Sequence, residues 1–146
     1  MKRVFVFFCF SFFVVISVFF FCSKKDSDVV QITLKGKKDS VSYFVELAVT
    51  PQEAQTGLMW RKSMPQNQGM LFVFPQPKII KMWMKNTYIP LDMVFINSQN
   101  QVICLRENAQ PLDESVITCP YPVQKVLEVN AGQIKAQNIH LGDMLQ

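Results

Sequence analysis

The chain has 146 residues, with 15 lysines and arginines against 11 acidic residues and a formal net charge of +4. Lys2 and Arg3 supply two of these net charges, and the other basic residues are scattered along the chain. This weak and dispersed charge argues against a nucleic-acid-binding protein. The part that follows residue 21 is close to the size of one domain and is long enough to bury a core.

The chain begins with a segment that is typical of an export signal. Two basic residues precede residues 4–21, which carry no charge and contain only Ser11 and Ser17 as polar residues. As a helix this run would rise about 27 Å, close to the roughly 30 Å of hydrocarbon in a bilayer. The order of charge, apolar run and polar segment therefore predicts an apolar helix over residues 1–21 that directs export.

Three outcomes are compatible with the sequence for the processing of this segment. Cys22 ends the apolar run and precedes a flexible, polar tether at residues 22–29, an arrangement that resembles a bacterial lipoprotein with a diacylated N-terminal cysteine. Phe21 departs from that pattern, because a small residue is usual before the cysteine. The alternatives are an uncleaved signal-anchor helix and a freed soluble form. We expect an exported, membrane-tethered protein on the periplasmic or outer face of the cell envelope.

Two cysteines, Cys104 and Cys119, belong to the domain itself. In an oxidising compartment they would form one disulfide that closes a loop of about 15 residues, or remain as two buried thiols. Their spacing is not that of a metal-binding knuckle, and no further cysteine of the domain completes a thiolate site. The preferred interpretation is a structural disulfide.

The first element of the domain is predicted to be a β-hairpin. Residues 29–34 and 41–50 alternate between apolar and polar side chains, which is the pattern of strands with one buried face. The polar residues 35–40 between them indicate a turn.

A helix is predicted next, over about residues 51–61. Thr50 can cap its first turn, Pro51 suits the first helical position, and Glu53 lies three residues after the cap, as in a capping box.

The rest of the domain is predicted to be mostly strands. Pro75 and Pro77 are expected to end the first of them. Residues 106–122 are polar and contain prolines, so they are expected to form a long loop, and a helical turn is predicted at about residues 131–138. The predicted strands are residues 70–74, 79–88, 91–96, 101–105 and 123–129, with a short last strand after residue 143.

This order of elements predicts a single, mainly β domain over residues 30–146. Strands outnumber helices and follow one another at short intervals, with turns between them. Such a pattern favours a small barrel or sandwich-like sheet, antiparallel or mixed, over a parallel βαβ array.

Several stretches together resemble a known family. The longest is Trp-Met-Lys-Asn-Thr-Tyr-Ile-Pro-Leu-Asp at residues 83–92. With shorter stretches elsewhere, residues 30–146 resemble the bacterial and archaeal family called domain of unknown function 192. The resemblance implies a small, mostly β, barrel-like domain that is often exported or membrane-tethered, and it implies no established activity. Met82 departs from the family pattern, which more often has Phe there. The shorter stretches are residues 57–61, 69–74, 126–132 and 142–143.

A groove for a ligand is predicted from polar residues of these stretches. If residues 81–88 were an extended strand, Trp83, Lys85 and Thr87 would point to one side of it. Lys85 beside Trp83 would then suit an anion or a carboxylate, and Arg61 could join in bidentate recognition. The alternative is that these polar groups make turns and ion pairs inside the fold. The candidate binding residues are Arg61, Trp83, Lys85, Asn86 and Asp92.

The sequence is also compatible with two other functions, copper binding and carboxylate catalysis. Met82 and Met84 would place two thioethers on one strand face, a soft ligand pair for Cu(I) beside a tryptophan. A hydrolase or transferase acting on envelope glycans or peptides would use Asp92 or Glu128 as its carboxylate. Glu128 lies between Leu127 and Val129, so it is either buried with a raised pKa or the outward-facing member of an alternating strand, and the second is preferred.

No phosphate-binding loop or zinc motif is present, and no cofactor is expected. The leading hypothesis is therefore a monomeric, non-enzymatic domain that binds a small ligand or an envelope protein.

Overall fold

The computed structural model describes residues 29–146, which form a curled seven-stranded sheet, a two-stranded sheet and two short helices. The predicted export helix, Cys22 and the tether up to residue 28 lie outside these residues, whereas Val29 belongs to the first strand and not to the tether. The helices are α1 (Pro51–Thr56) and α2 (Gln133–Ala136). The strands are β1 (Val29–Lys35), β2 (Ser40–Ala48), β3 (Gln68–Lys78), β4 (Lys81–Met82), β5 (Leu91–Ile96), β6 (Val102–Ala109), β7 (Ile117–Thr118), β8 (Val123–Asn130) and β9 (Met144–Leu145).

The predicted hairpin is confirmed. Strands β1 and β2 pair antiparallel, with Ile32 opposite Tyr43 and Leu34 opposite Val41. Because alternate residues of a strand point to opposite faces, these side chains share the inner face, where Ile32, Leu34 and Tyr43 are buried.

The capping box at the start of α1 is also confirmed. The Thr50 hydroxyl accepts a hydrogen bond from the Glu53 amide at 3.2 Å, and the Glu53 carboxylate accepts one from the Thr50 amide at 3.0 Å. The predicted helix over residues 51–61 is too long, however. It ends at Thr56 because Gly57 adopts a φ of +47° and turns the chain away. The second helix, predicted over about residues 131–138, is likewise reduced to α2.

The large sheet is mixed, which is one of the two arrangements predicted, but it is neither a closed barrel nor a sandwich. Its strand order is β6-β5-β8-β3-β2-β1-β9, and the only parallel pair of this described sheet is β2 with β3, which α1 connects. The sheet curls into a half-barrel. At one end, Gln101 forms a bridge with Met144, so that the start of β6 meets β9 from the opposite edge.

Two strand predictions are corrected by the structure. Strand β3 continues through Pro75 and Pro77, because its register with β8 shifts between Val73 and Lys78 and the prolines fall in this irregular stretch. The predicted strand over residues 79–88 shrinks to β4, which pairs with β7. The predicted loop over residues 106–122 also contains the end of β6 and all of β7.

Each face of the sheet covers its own core. One core contains Leu58, Phe72 and Met84, and the other contains Leu34, Tyr43 and Val94. Strand β5 is buried along its whole length because it contributes to both cores. All these strand pairings and both cores lie within residues 29–146, so this unit has the contacts needed to fold independently. Neither of its two helices has the length and apolarity needed to cross a bilayer.

Candidate functional site

A cleft opens between α1, the end of β3 and the segment that carries β4. Its volume is about 540 Å³, within the range of small-molecule sites. Phe72, Phe74 and Trp83 supply aromatic walls. The exposed lysines of the rim are Lys78, Lys81 and Lys85. An apolar interior with a positive mouth suits a molecule that has an apolar body and an anionic group.

Trp83 and Lys85 both line this cleft, but the segment that carries them is not the strand that was predicted. Strand β4 ends at Met82, and Asn86 takes a φ of +54°, so the segment is not an extended strand after Met82. Trp83, Lys85 and Thr87 nevertheless all line the cleft. Trp83 is 43% exposed and Lys85 is also exposed, while Thr87 is buried. The Lys85 ammonium lies 3.9 Å from the carboxylate of exposed Glu114. Because such surface pairs contribute little, Lys85 can exchange this partner for a ligand.

Arg61 and Asn86 make contacts within the domain and do not line the cleft. Arg61 forms two hydrogen bonds with the Glu46 carboxylate, at 2.5 and 2.6 Å. The carbonyl of Asn86 accepts a hydrogen bond from the Trp60 amide at 2.7 Å, and its side-chain amide lies 3.9 Å from the Met59 sulfur. Both residues therefore hold the segments around the cleft in place.

Asp92 serves the fold on the other face of the sheet. Its side chain is fully buried, and its two oxygens accept hydrogen bonds from the amides of Asn108 and Ile134, both at 2.8 Å. Strand alternation places it beside Val94, away from the cleft. Burial, and then the nearby Asp92 carboxylate, raise the pKa of Tyr43 to about 12.

Glu128 was a candidate carboxylate from the sequence, but the environment expected for it was wrong. It was expected to face outward, but it is only 4% exposed and lines the cleft. Strand β8 lies between β5 and β3 and is covered on both faces. A signal was present in the sequence, because Val126-Leu127-Glu128-Val129 lacks the alternation of a half-exposed strand.

The surroundings of Glu128 are apolar. Met93 of β5 and Met70 of β3 lie directly opposite it. Burial raises the pKa of the Glu128 carboxyl to about 8, so the group is mostly protonated at neutral pH. Of the described residues that line the cleft, Glu128 alone is acidic. Asp92 lies on the opposite face, so the two candidate catalytic carboxylates do not converge.

The two methionines considered for copper do not share a strand face. Met84 lies beyond the end of β4 and is fully buried, whereas Met82 is partly buried and lines the cleft. Within residues 29–146, no three His, Cys, Asp or Glu side chains are grouped as metal ligands.

Cys104 and Cys119 are joined in a disulfide. Their Cα atoms are 5.9 Å apart and the residues are 15 positions apart in the sequence. The bridge ties β6 to the chain after β7, and both cysteines pack in the core beneath the cleft.

A second, larger cleft of about 890 Å³ lies at the other end of the sheet. The β1–β2 turn and the C-terminal residues form it, with Lys37, Lys38 and His140 in its wall. It contains none of the predicted binding residues. The first cleft is the stronger candidate because it combines aromatic walls with a buried carboxyl.

Comparisons with known proteins agree with this fold. The family model DUF192, described as Uncharacterized ACR, matches residues 30–146. A crystal structure from Sinorhizobium meliloti 1021, of a protein assigned provisionally as a transcription regulator, is 40% identical with a TM-score of 0.80. It covers 82% of this chain and 94% of its own, so that relative consists almost entirely of this domain.

A protein of unknown function from Novosphingobium aromaticivorans DSM 12444 is similar as well. It is 34% identical with a TM-score of 0.79, and the match covers 81% of this chain and 84% of that one. No protein with a curated description matches this chain.

Proposed function

The chain belongs to the DUF192 family, and on that premise we propose that it is an exported domain of the cell envelope that binds a small molecule in the cleft beside Trp83. The ligand has an apolar body and an anionic group. Trp83 and the phenylalanines hold the body, and Lys85 with its neighbouring lysines holds the anion. No covalent step is part of this function.

The observation that supports the proposal is the cleft itself. Its lining combines an exposed tryptophan, two phenylalanines, three exposed lysines and one buried carboxyl. A half-exposed aromatic beside apolar walls gains contact area when a ligand covers it. Lysines at the mouth attract an anion without having to be buried.

Calorimetric titration of residues 29–146 with 2-naphthoate at pH 7 tests this function. The probe has an aromatic body and one carboxylate, so it represents the proposed ligand class. We expect Trp83→Ala and Lys85→Ala each to weaken binding by at least threefold, since each removes one of the two recognition elements.

Matched controls are available elsewhere on the surface. Trp60→Ala removes a tryptophan that is 57% exposed but does not line the cleft. Lys38→Ala removes a lysine of the second cleft. Both should bind 2-naphthoate within twofold of the unmodified domain. Equal binding by all four variants, or no binding by the unmodified domain, would show that the cleft beside Trp83 is not a ligand site of this kind.

A further inference from the structure

Glu128 occupies the centre of a row of side chains that crosses the sheet. Glu46, Met70, Glu128 and Met93 lie directly opposite one another on β2, β3, β8 and β5, so all four point to the cleft face. Glu46 is neutralised by Arg61. Glu128 has a methionine on either side. A methionine or leucine at this position would pack equally well in the fold, so packing does not explain an acid here.

The Glu128 carboxyl has no hydrogen-bond donor among residues 29–146. Burial alone accounts for its raised pKa, with no hydrogen bond or neighbouring charge contributing. Yet no described side-chain oxygen is both sealed from solvent and unpaired. The carboxyl oxygens must therefore reach the cleft that Glu128 lines. A buried polar group that faces an apolar cleft and has no protein partner is suited to a partner supplied by a ligand.

We propose that Glu128 is a binding residue of the cleft, and that it forms a hydrogen bond with an uncharged oxygen, such as a carbonyl or ether, on the buried end of the anionic ligand. This inference rests on the proposed function and adds the ligand's second polar group. The ligand class is thus an amphiphilic anion with an oxygen acceptor distant from its charge.

The charges around the cleft decide between an acceptor and a cation as the partner of Glu128. A cationic group would have to pass the lysines of the rim, which disfavour it. The neighbours on β3 and β5 are uncharged methionines, so nothing near the carboxyl holds it ionised. With a pKa of about 8, Glu128 is a neutral acid at pH 7 and donates its O–H. The charged groups that face Glu128 from the packed elements are Lys78, Lys81 and Lys85 across the cleft, Glu46 with Arg61 beyond β3, and Arg106 opposite Met93 on β6.

Two probes of matched shape test this inference by calorimetry. 6-Methoxy-2-naphthoate carries an ether oxygen at the end distant from its carboxylate, and 6-ethyl-2-naphthoate has a methylene there. At pH 6.5 we expect the methoxy probe to bind residues 29–146 at least threefold more tightly. At pH 9.5 the preference should vanish, because Glu128 has lost the proton that it donates. Effects of pH on the recognition of the carboxylate change both affinities alike and cancel in their ratio.

Two variants separate the role of Glu128 from that of the cleft. Glu128→Met keeps the side-chain length and should remove the preference for the methoxy probe at pH 6.5. Glu128→Gln keeps a donor that does not titrate and should retain the preference at both pH values. The circular dichroism spectrum of each variant confirms that it is folded.

The outcomes distinguish this inference from the proposed function. If both probes bind equally, or if the preference survives in Glu128→Met or at pH 9.5, Glu128 does not contact the ligand, although the cleft still binds it. If neither probe binds the unmodified domain, the proposed function fails and this inference fails with it.

Discussion

Glu128 is a buried acid whose position makes the stability of the fold depend on pH. It is placed in an interior strand of the sheet, between two methionines, where a charge is strongly disfavoured. The protein keeps this group uncharged instead of pairing it, since burial raises the pKa from its ordinary value of 4.5 to about 8. Because the folded state binds this proton more tightly than the unfolded state, the free energy of unfolding depends on pH.

The sign of that consequence follows from the two states. Below pH 4.5 both states hold the proton and Glu128 has no effect. Between pH 4.5 and 8 the unfolded chain releases its proton while the folded domain keeps it, so the unfolded state becomes progressively more favourable. The contribution of Glu128 to the free energy of unfolding should fall by on the order of 4 kcal/mol across this range.

Urea denaturation of residues 29–146 at pH 5 and pH 8.5 measures this effect. Glu128→Gln should lose most of the decrease in unfolding free energy that the unmodified domain shows between the two pH values. Glu107→Gln, which changes an exposed glutamate, is the control and should leave the decrease unchanged. An identical decrease in both variants would mean that Glu128 ionises normally in the folded domain.

At the scale of elements, the cleft depends on how α1 ends. Gly57 takes a φ of +47°, and a Cβ added there would lie 3.1 Å from the Phe72 ring. Both residues line the cleft. The early end of α1 therefore sets the position of the Phe72 wall, and only glycine is compatible with both the backbone angle and the close approach.

Gly57→Ala and Gly132→Ala form a matched pair for this element. Both sites have a positive φ, which costs alanine about 1 kcal/mol. The Cβ at Gly132 meets nothing within 4 Å, so it adds no steric cost. We expect Gly57→Ala to lose about 2 kcal/mol of unfolding free energy and to weaken 2-naphthoate binding by at least threefold.

Gly132→Ala should lose only the backbone cost and bind the probe normally. Urea denaturation and calorimetry provide the two measurements. Equal effects of the two substitutions on both measurements would show that contact with Phe72 does not shape the cleft.

An element could be predicted when the residues that stabilise it are close together in the sequence. The β1–β2 hairpin and the capping box depend on residues within a few positions of one another, so alternation and Thr50 sufficed to predict them. The segment after Met82 depends instead on distant partners. Met84 donates its amide to the Asp113 carbonyl, and Leu112 donates to the Thr87 carbonyl. No local pattern predicts such bonds, so the extended strand predicted over residues 79–88 was wrong after Met82.

The same reasoning explains why the candidate site was predicted in part. Trp83 and Lys85 lie in the cleft because their own segment forms its wall. Arg61 and Asp92 were expected to join them, but their partners are Glu46 and the amides of Asn108 and Ile134, which are distant in sequence. Pairing across a folded sheet is set by topology, and a single sequence does not contain that information.

At the scale of the whole molecule, the cleft lies at the end of the sheet where the described chain begins. Val29 pairs with Glu46, close to the end of β2, and Ala48 at that end pairs with Phe72 of the cleft. The second cleft is formed at the opposite end, by the turn after Lys35. A membrane anchor at Cys22 would thus join the domain on the side of the ligand cleft. If the proposed ligand comes from the membrane, the cleft is at the end of the domain where the chain from such an anchor enters.

The way in which the domain is anchored depends on how the N-terminus is processed. We expect Cys22 to carry a diacylglycerol group, because it ends the apolar run and begins the polar tether. Mass spectrometry of the membrane fraction from cells that export the full chain should show an N-terminal fragment that begins at diacylated Cys22. The Cys22→Ser variant should lack that fragment.

An N-terminal fragment that still contains Met1 would contradict lipidation and identify an uncleaved signal anchor. The tether of residues 22–28 would then follow a membrane helix, and the cleft would still lie at the anchored end. Recovery of the unmodified chain in the soluble fraction would remove the anchor in both forms. The cleft would then take its ligand from solution, and the proximity of Val29 to the cleft would have no role in delivery.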